Sequence, residues 1–390
     1  MSLGERVPKL RFPGFEGEWE ELKIHEIFEV TRGYVLSTKD THSRPDSKYC
    51  YPVYSSQTKD DGLMGYYSEF LYKDAITWTT DGANAGTVHY RTGCFYCTNV
   101  CGVLLSNKGY ANKCVSEILN AVAKRYVSYV GNPKLMNNVM REIPLVLPNK
   151  FEQLKISDFL SLLDSRIAAQ RKLVKLLKKH KRGLSSVLFS GKVRVATNAK
   201  WRTYRLGDIV RRVTRKNGKA TDIPLTISAQ HGLIDQREFF SKAVASADMS
   251  GYYLLKQGEF AYNRSSSGDY PFGSIKKLER YHQGAVSTLY ICFETLGDKD
   301  DAEFLKWYFD SFAWHREIGM ICAEGARNHG LLNVPTDGFF DTKHILPSDK
   351  DERKKIASLM ALADARCECA ETELARLTAM KSGLLQQMFV

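Results

Sequence analysis

The sequence predicts an α/β chain of the α+β kind: two mixed α/β domains separated by two long helices that form an antiparallel coiled coil, with a pseudo-two-fold internal repeat. Three observations predict it. The chain repeats itself at half its length of 390 residues. The repeated part carries apolar residues at a 3.5-residue period. The stretches between the repeats mix short β-branched and aromatic runs with helical ones. The expected boundaries are a first mixed domain over 1–150, a first long helix over 151–195, a second mixed domain over 196–347 and a second long helix over 348–390.

Each domain begins with an opener. Trp19-x-x-Leu22-x-Ile24-x-x-Ile27 returns as Trp201-x-x-Tyr204-x-Leu206-x-x-Ile209. The first variable stretch follows, with a strand expected over 100–106 and a helix over 116–127. The second variable stretch has a strand expected over 287–293 and a helix over 302–318. Between openers and long helices the two stretches barely align. A repeated frame around diverged inserts suggests one mechanical role and two specificities.

Each domain ends in the repeated helix. Leu147-Pro148 through Phe189 matches Leu346-Pro347 through Phe389, with an offset of 200 after one inserted residue. Glu152, Lys155 and Ile156 match Glu352, Lys355 and Ile356; Asp164-Ser165-Arg166 matches Asp364-Ala365-Arg366; Lys181, Gly183 and Leu184 match Lys381, Gly383 and Leu384. Two unrelated helices can share a heptad, but not also these polar landmarks. The seam runs Ile156, Leu160, Leu163, Ile167, Gln170, Val174, Leu177, Lys181, Leu184 and Leu188 in steps of four and three. Its copy reads Ile356, Met360, Ala363, Cys367, Ala370, Leu374, Leu377, Lys381, Leu384 and Met388. In an antiparallel pair, Glu368, Glu371 and Glu373 are expected to face Arg171, Lys172 and Lys175. A helix of some 35 residues is about 50 Å long, which suits a spacer between two points of contact.

Composition narrows the function. A chain 43% hydrophobic and 26% charged is neither disordered nor fibrous. No run of eighteen apolar residues occurs, and Met1 to Phe15 has charges but no apolar core, so neither a membrane span nor a signal peptide is expected. Nine cysteines fit reduced thiols better than a disulfide framework. Together these place the protein in the cytoplasm. Lys and Arg number 56 against 44 Asp and Glu, for a net +12, which favours a polyanionic partner. The excess lies in residues 1–195, with 29 basic against 19 acidic residues, and is densest from Arg166 to Arg194, where no acid occurs. Such a run is also what a solvated helix face looks like.

Catalytic constellations are missing from the sequence. There is no G-x-x-x-x-G-K-[ST] phosphate loop and no G-x-G-x-x-G after a strand. Asn132-Pro133-Lys134 lacks the second proline and the aromatic that gripping a flipped base requires. Pro45-Asp46-Ser47-Lys48 reads as a surface loop. Cys94, Cys97 and Cys101 have the spacing of a strand, where alternation turns Cys97 and Cys101 away from Cys94, so no zinc site is expected. The nine histidines show no ligand spacing.

What remains is loop chemistry suited to base edges and phosphates. Asn and Gln amides match adenine; Lys and Arg match guanine or phosphate. In the first domain the candidates are Gln57, Thr58 and Lys59, then Thr80 and Asn84 in the run from Thr77 to Gly86, then Asn132, Lys134 and Asn137. In the second they are Gln230, His231, Arg264, Ser265, Ser266, Arg327 and Asn328, with Arg264 suited to a guanine. Each loop is also a plausible plain turn.

The opener Pro8-Lys9-Leu10-Arg11-Phe12-Pro13-Gly14-Phe15 with Trp19 resembles that of type I restriction–modification specificity subunits. So does the helix from Ile156 to Phe189, with Leu163-Asp164-x-Arg166-Ile167, and its copy from Ile356. The stretch from Thr77 to Gly86 and Ala285-Val286-Ser287-Thr288-Leu289-Tyr290 resemble the target-recognition domains of that family. The resemblance covers essentially the whole chain; the second helix departs from the pattern at Cys367 and Cys369.

The resemblance implies that each variable domain reads one half of a bipartite double-stranded DNA target through the major groove. The paired helices would set the gap and dock two modification (methyltransferase) subunits. Those subunits would methylate adenine with S-adenosylmethionine, and restriction subunits would cut DNA using ATP and magnesium. This chain would be non-catalytic, with no cofactor, no metal and no membrane partner. Two alternatives stay open on the residues alone: an RNA-binding or scaffold protein with a coiled-coil spacer, and a stand-alone nuclease or methyltransferase. Preference for RNA would favour the first; cutting or methylation by the isolated chain would favour the second.

Overall fold

The computed structural model describes residues 6–56, 59–195, 200–228, 231–239, 248–266, 270–322, 330 and 332–390. The chain divides into two compact units, Met1–Lys172 with Thr372–Val390, and Leu173–Glu371. Each holds one mixed domain and a part of both long helices.

In the first unit, β1 (Glu20–Lys23) leads into α1 (Ile24–Ile27). Six strands follow: β2 (Glu29–Arg32), β3 (Tyr51–Tyr54), β4 (Leu63–Tyr67), β5 (Tyr72–Thr79), β6 (Val88–Cys97) and β7 (Cys101–Leu105). They form one sheet in the order β2-β7-β5-β6-β3-β4, antiparallel except where β3 meets β6. Then come α2 (Lys113–Ala123), α3 (Asn137–Arg141), β8 (Pro144–Leu147) and α4 (Lys150–Phe189). β8 returns to pair with β1, setting Leu22 opposite Leu145. β5 shows why the sheet is central. Its alternate residues Ile76 and Trp78 enter the core under α2, while Ala75 packs on the other face with Phe95, Cys97, Cys101 and Val103. α2 starts where the Asn112 side chain accepts the Val115 amide at 3.0 Å. Its apolar stripe of Val115, Ile118 and Leu119 faces the sheet.

In the second unit, β9 (Trp201–Arg205) and β10 (Val210–Val213) open the domain. There follow β11 (Leu225–Ser228), β12 (Gly232–Asp235), α5 (Gln236–Phe239), β13 (Tyr253–Lys256), β14 (Phe260–Asn263), β15 (Ser274–Lys277), β16 (Gln283–Val286) and β17 (Ile291–Thr295). α6 (Lys299–Asp310), α7 (His315–Ile321), α8 (Thr336–Asp341), β18 (Lys343–Pro347) and α9 (Lys350–Met388) complete it. The main sheet has the order β10-β17-β14-β15, and β18 pairs with β9. The core is aromatic: Phe260 stacks on Phe293 at 5.3 Å, and Phe304, Trp307, Phe309, Trp314 and Phe339 close around them.

The two domains share a frame that their sequences do not display. β1, β2, β5, β6, β7 and β8 correspond to β9, β10, β14, β15, β17 and β18, with the same neighbours and directions. Register confirms the match: Leu22 opposite Leu145 repeats as Tyr204 opposite His344, and Ile76 opposite Leu104 repeats as Phe260 opposite Phe293. A buried strand needs apolar side chains at alternate positions but does not specify which, so residue identity drifts while pairing persists.

Within each unit the long helices pack antiparallel along the expected seam. In the first, Leu163 and Ile167 of α4 bury against Leu377 of α9, with Leu374 and Leu384 beside them. Ile156, Leu160 and Met388 join the domain core. In the second, Leu188 of α4 packs with Ile356 and Met360 of α9, and Leu184 lies against them. Val174 and Cys367 are buried too, and Leu177 is half-buried. The charges flanking the seam pair differently from expectation. Glu371 meets Lys178 and Glu373 meets Arg166, rather than Arg171, Lys172 or Lys175. The reason is position in the heptad. Lys172 and Lys175 lie on the outer face, whereas Lys178 and Arg166 stand directly beside seam residues, where an antiparallel partner can be reached; Arg171 shares the Lys178 position but sits one heptad earlier, about 10 Å along the helix from the residue that Glu371 meets.

The matched glutamates also have a structural meaning. Glu152 is fully buried, and Arg11 grips both its oxygens at 2.7 Å. Glu352, equally buried, accepts the Val195 amide at 3.1 Å. Each acid thus ties the start of a long helix to the segment that precedes the first strand of a domain. Among the described residues no helix is long and apolar enough to cross a membrane.

Candidate nucleic-acid interface

In the first unit the candidates gather where β5 ends. The chain turns from Thr79 to Thr87 through Gly82 and Gly86, both at positive φ, and the Thr87 amide donates to the Asn84 carbonyl. Gly82 also sits close to the segment 128–137: its amide donates to the Pro133 carbonyl at 2.9 Å, and the Leu135 amide donates to the Thr80 carbonyl at 2.8 Å. The Trp78 indole donates to the Leu135 carbonyl at 3.0 Å. Asn132 and Lys134 are exposed on this segment, with the Lys134 amine 3.9 Å from the Asp81 carboxylate. Asn84 is half-buried, and Asn137, also half-buried, lies 3.5 Å from the Thr31 carbonyl. Thr80, Asn84, Asn132, Lys134 and Asn137 are therefore brought to one place from two distant stretches of sequence.

Thr80 has a different role from the one expected. It is 3% exposed, and its hydroxyl lies 2.7 Å from the Asp81 carboxylate and 3.0 Å from the Val100 carbonyl. Such a side chain holds turns together and does not present a group to a ligand. The exposed polar group on the neighbouring turn is Asn99, whose carbonyl accepts from Arg32 at 3.1 Å. Neither Arg32 nor Asn99 was singled out by sequence, because nothing in the run Thr98-Asn99-Val100 marks a turn beside Thr80.

Lys59 is exposed at the start of the turn Lys59–Gly62. This turn is pinned by Arg91, a buried arginine that sequence reasoning also passed over. Its guanidinium stacks 3.7 Å over the Tyr54 ring and donates to Thr77 Oγ1 at 3.1 Å and the Asp61 carbonyl at 2.8 Å. Burial pulls its pKa below the usual arginine value. A strand arginine carries no sequence signal of being buried.

In the second unit the site is built at the end of β14. Arg264 is half-buried, and its guanidinium is already engaged. Nε and Nη2 donate to the Leu289 carbonyl at 3.2 and 2.9 Å, and Nη1 donates to the Val334 carbonyl at 3.1 Å. Three of its five N–H groups therefore serve the backbone, a tie that the expected grip on a guanine did not include. Ser265 is exposed beside it, and the Ser266 amide donates to the Gly330 carbonyl at 2.5 Å. His231 is exposed in the hairpin turn between β11 and β12. Gln57, Thr58, Gln230, Arg327 and Asn328 lie outside the described residues.

The cysteines show packing chemistry. Cys97 and Cys101 are buried in the sheet while Cys94 is half-buried. Burial pushes the Cys101 thiol up to about 11 and Cys97 further still. Among the described residues no three His, Cys, Asp or Glu side chains are grouped to hold a metal ion.

Comparison with known proteins fits this geometry. Residues 16–179 match the family described as the type I restriction modification DNA specificity domain. The N-terminal part of a putative type I specificity subunit of Mycoplasma pneumoniae is 39% identical over 141 residues, 35% of this chain and 74% of that protein. The specificity subunit of the MpnII type I restriction enzyme of the same organism is 36% identical over 145 residues, 36% of this chain and 43% of that protein. The chain thus spans less than half the length of this second relative. A crystal structure of the S subunit of a type I restriction–modification system from M. genitalium superposes with a TM-score of 0.64 at 17% identity, over 98% of this chain and 99% of that one. At that identity the likeness speaks for the fold.

Proposed function

The chain belongs to the type I restriction–modification specificity subunits, and on that premise we propose that it is the DNA-reading component of such a complex. Each mixed domain reads one half of a bipartite duplex target. The first uses the turns gathered at the end of β5, and the second those at the end of β14. The paired seams of α4 and α9 fix the gap between half-sites, and two methyltransferase subunits dock on them. Restriction subunits complete the assembly. The chemistry belongs to those partners, which use S-adenosylmethionine, ATP and magnesium; this chain works without a cofactor of its own, in the cytoplasm where the DNA is.

One observation carries the reading. The same sheet end gathers turns in both domains, on an equivalent frame, yet the exposed residues there differ: Asn99, Asn132 and Lys134 in one, Ser265 and Thr288 in the other. Exposed amides, hydroxyls and amines are the groups that read base edges and phosphates, and the net charge of +12 suits a polyanion.

The test exchanges residues 202–346 for the same domain of another specificity subunit, in cells that hold the partner subunits, and maps methylated adenines genome-wide. One half of the motif should change and the other persist. A change in both halves would refute domain independence, and a native motif that is continuous would refute the bipartite reading.

A further inference from the structure

We infer that Thr80 and Arg264 are one equivalent positioning site, and that they set sequence preference by holding the reading turns in place without touching a base. The inference rests on the DNA-reading proposal and deepens it.

The equivalence comes from strand register. Trp78 of β5 faces Gly102 of β7, and Tyr262 of β14 faces Ile291 of β17. Two residues further along, Thr80 stands against Val100 and Arg264 against Leu289. Both then make the same ties. The Thr80 hydroxyl and amide reach the Val100 carbonyl, and the Arg264 guanidinium reaches the Leu289 carbonyl. The Thr80 carbonyl accepts the Leu135 amide, and the Arg264 carbonyl accepts the Leu332 amide. Each residue therefore clamps the turn before the next sheet strand to the segment that leads into α3 or α8.

The change from threonine to arginine has a local cause. In the first domain Trp78 adds a second tie, from its indole to the Leu135 carbonyl. Its counterpart Tyr262 sends its hydroxyl elsewhere, to the Phe272 carbonyl at 2.8 Å. The arginine replaces the missing tie by reaching Val334 as well as Leu289. A hydroxyl can bridge to one segment, whereas a planar guanidinium can bridge to two. What the clamps hold out is equivalent too: Asn99 and Thr288 occupy the same register position, and both are exposed.

The test uses the full chain with its partner subunits and four variants: Arg264→Gln, Arg264→Lys, Thr80→Val and Thr80→Ser. The readouts are the methylated motif and competition by duplexes altered at each base of one half-site. Arg264→Gln and Arg264→Lys should lower discrimination several-fold at two or more positions of the second half, leaving the first half intact. Thr80→Val should do the same to the first half only, and Thr80→Ser should retain the native motif. Relaxation at one base position alone would show that Arg264 is a direct reader, and an unchanged motif in Arg264→Gln and Thr80→Val would show that neither positions anything. Should the Arg264 variants fail to fold, the contrast between Thr80→Val and Thr80→Ser decides by itself. A wild-type complex without a two-part motif would overturn the DNA-reading proposal, and this inference with it.

Discussion

Lys381 of α9 donates to Asp164 of α4 at 2.7 Å, and Lys181 of α4 donates to Asp364 of α9 in the same way, each residue standing 200 positions from its counterpart. Each lysine also reaches a carboxylate on the mixed domain of its unit: Glu117 of α2 lies 3.1 Å from Lys381, and Asp310 of α6 lies 3.7 Å from Lys181. Lys113 and Lys276 complete the two clusters. A lysine at a seam position is unfavourable in an apolar interface. Here it links helix pair to domain, once in each unit. Burial alone would raise the Asp164 carboxyl, but hydrogen bonds from Lys113 and Lys381 outweigh it and hold the group below its ordinary value.

Lys381→Met should therefore destabilise the first unit by about 1–3 kcal/mol, because Asp164 and Glu117 are partly buried and keep only Lys113. Urea denaturation of the single variants Lys381→Met and Asp164→Asn and of the double variant measures the coupling. A coupling energy near zero would mean that the contact is incidental.

A second prediction concerns acid. His344 is 2% exposed, between the hydroxyls of Tyr308 and Thr342, each 2.8 Å from a ring nitrogen. Burial pulls its pKa down to about 4, so the folded ring is neutral where the unfolded one, near pH 6.5, takes up a proton. The unfolded state binds more protons between those values. Stability is then complete above about pH 6.5 and falls as pH drops toward 4, by on the order of 3 kcal/mol. The lowered carboxyls of Asp164 and Asp310 act in a separate window, losing their contribution only below about pH 4. Denaturation midpoints of wild type and His344→Gln at several pH values isolate the histidine. Parallel pH profiles for the two proteins would refute the assignment.

The frame was more legible than the site, for a physical reason. A seam is a repeated choice among a few apolar residues, so Ile156, Leu160, Leu163 and Ile167 announce it. The Asp164–Lys381 and Asp364–Lys181 pairs left letters as well, since both ends of each pair must be kept together. Thr80 and Arg264 share no letter, and their equivalence lies in strand register and backbone ties. Arg91, buried under Tyr54, reads in sequence like any polar strand residue. The loops around β5 and β14 are assembled from segments about twenty to seventy residues apart, and only folding brings them together.

Gly102 provides a steric test of that assembly. A Cβ added there would stand 2.1 Å from the Trp78 ring, which is 1% exposed and cannot retreat without releasing the Leu135 carbonyl. Gly102→Ala should cost about 3 kcal/mol in the first unit through overpacking, and should weaken the first half of the methylated motif more than the second. A thermal melt and motif map check both parts. A cost below about 0.5 kcal/mol would show that Trp78 is free to shift.

Lys134 separates affinity from specificity. Its amine is half-exposed and only loosely paired, 3.9 Å from Asp81, so the ion pair adds little to the fold. Lys134→Ala should leave the melting temperature and the methylated motif unchanged. It should nonetheless weaken binding to every duplex alike, and reduce the dependence of binding on salt by about one phosphate contact. Asp81→Asn should move affinity the other way, since it removes a carboxylate that competes with phosphate for the same amine. Titrations of duplex between about 50 and 200 mM salt measure the slope. If the Lys134→Ala slope equals that of wild type, the amine does not meet the backbone, and contact in the first domain must come from other residues on the turns around Asn99 and Asn132.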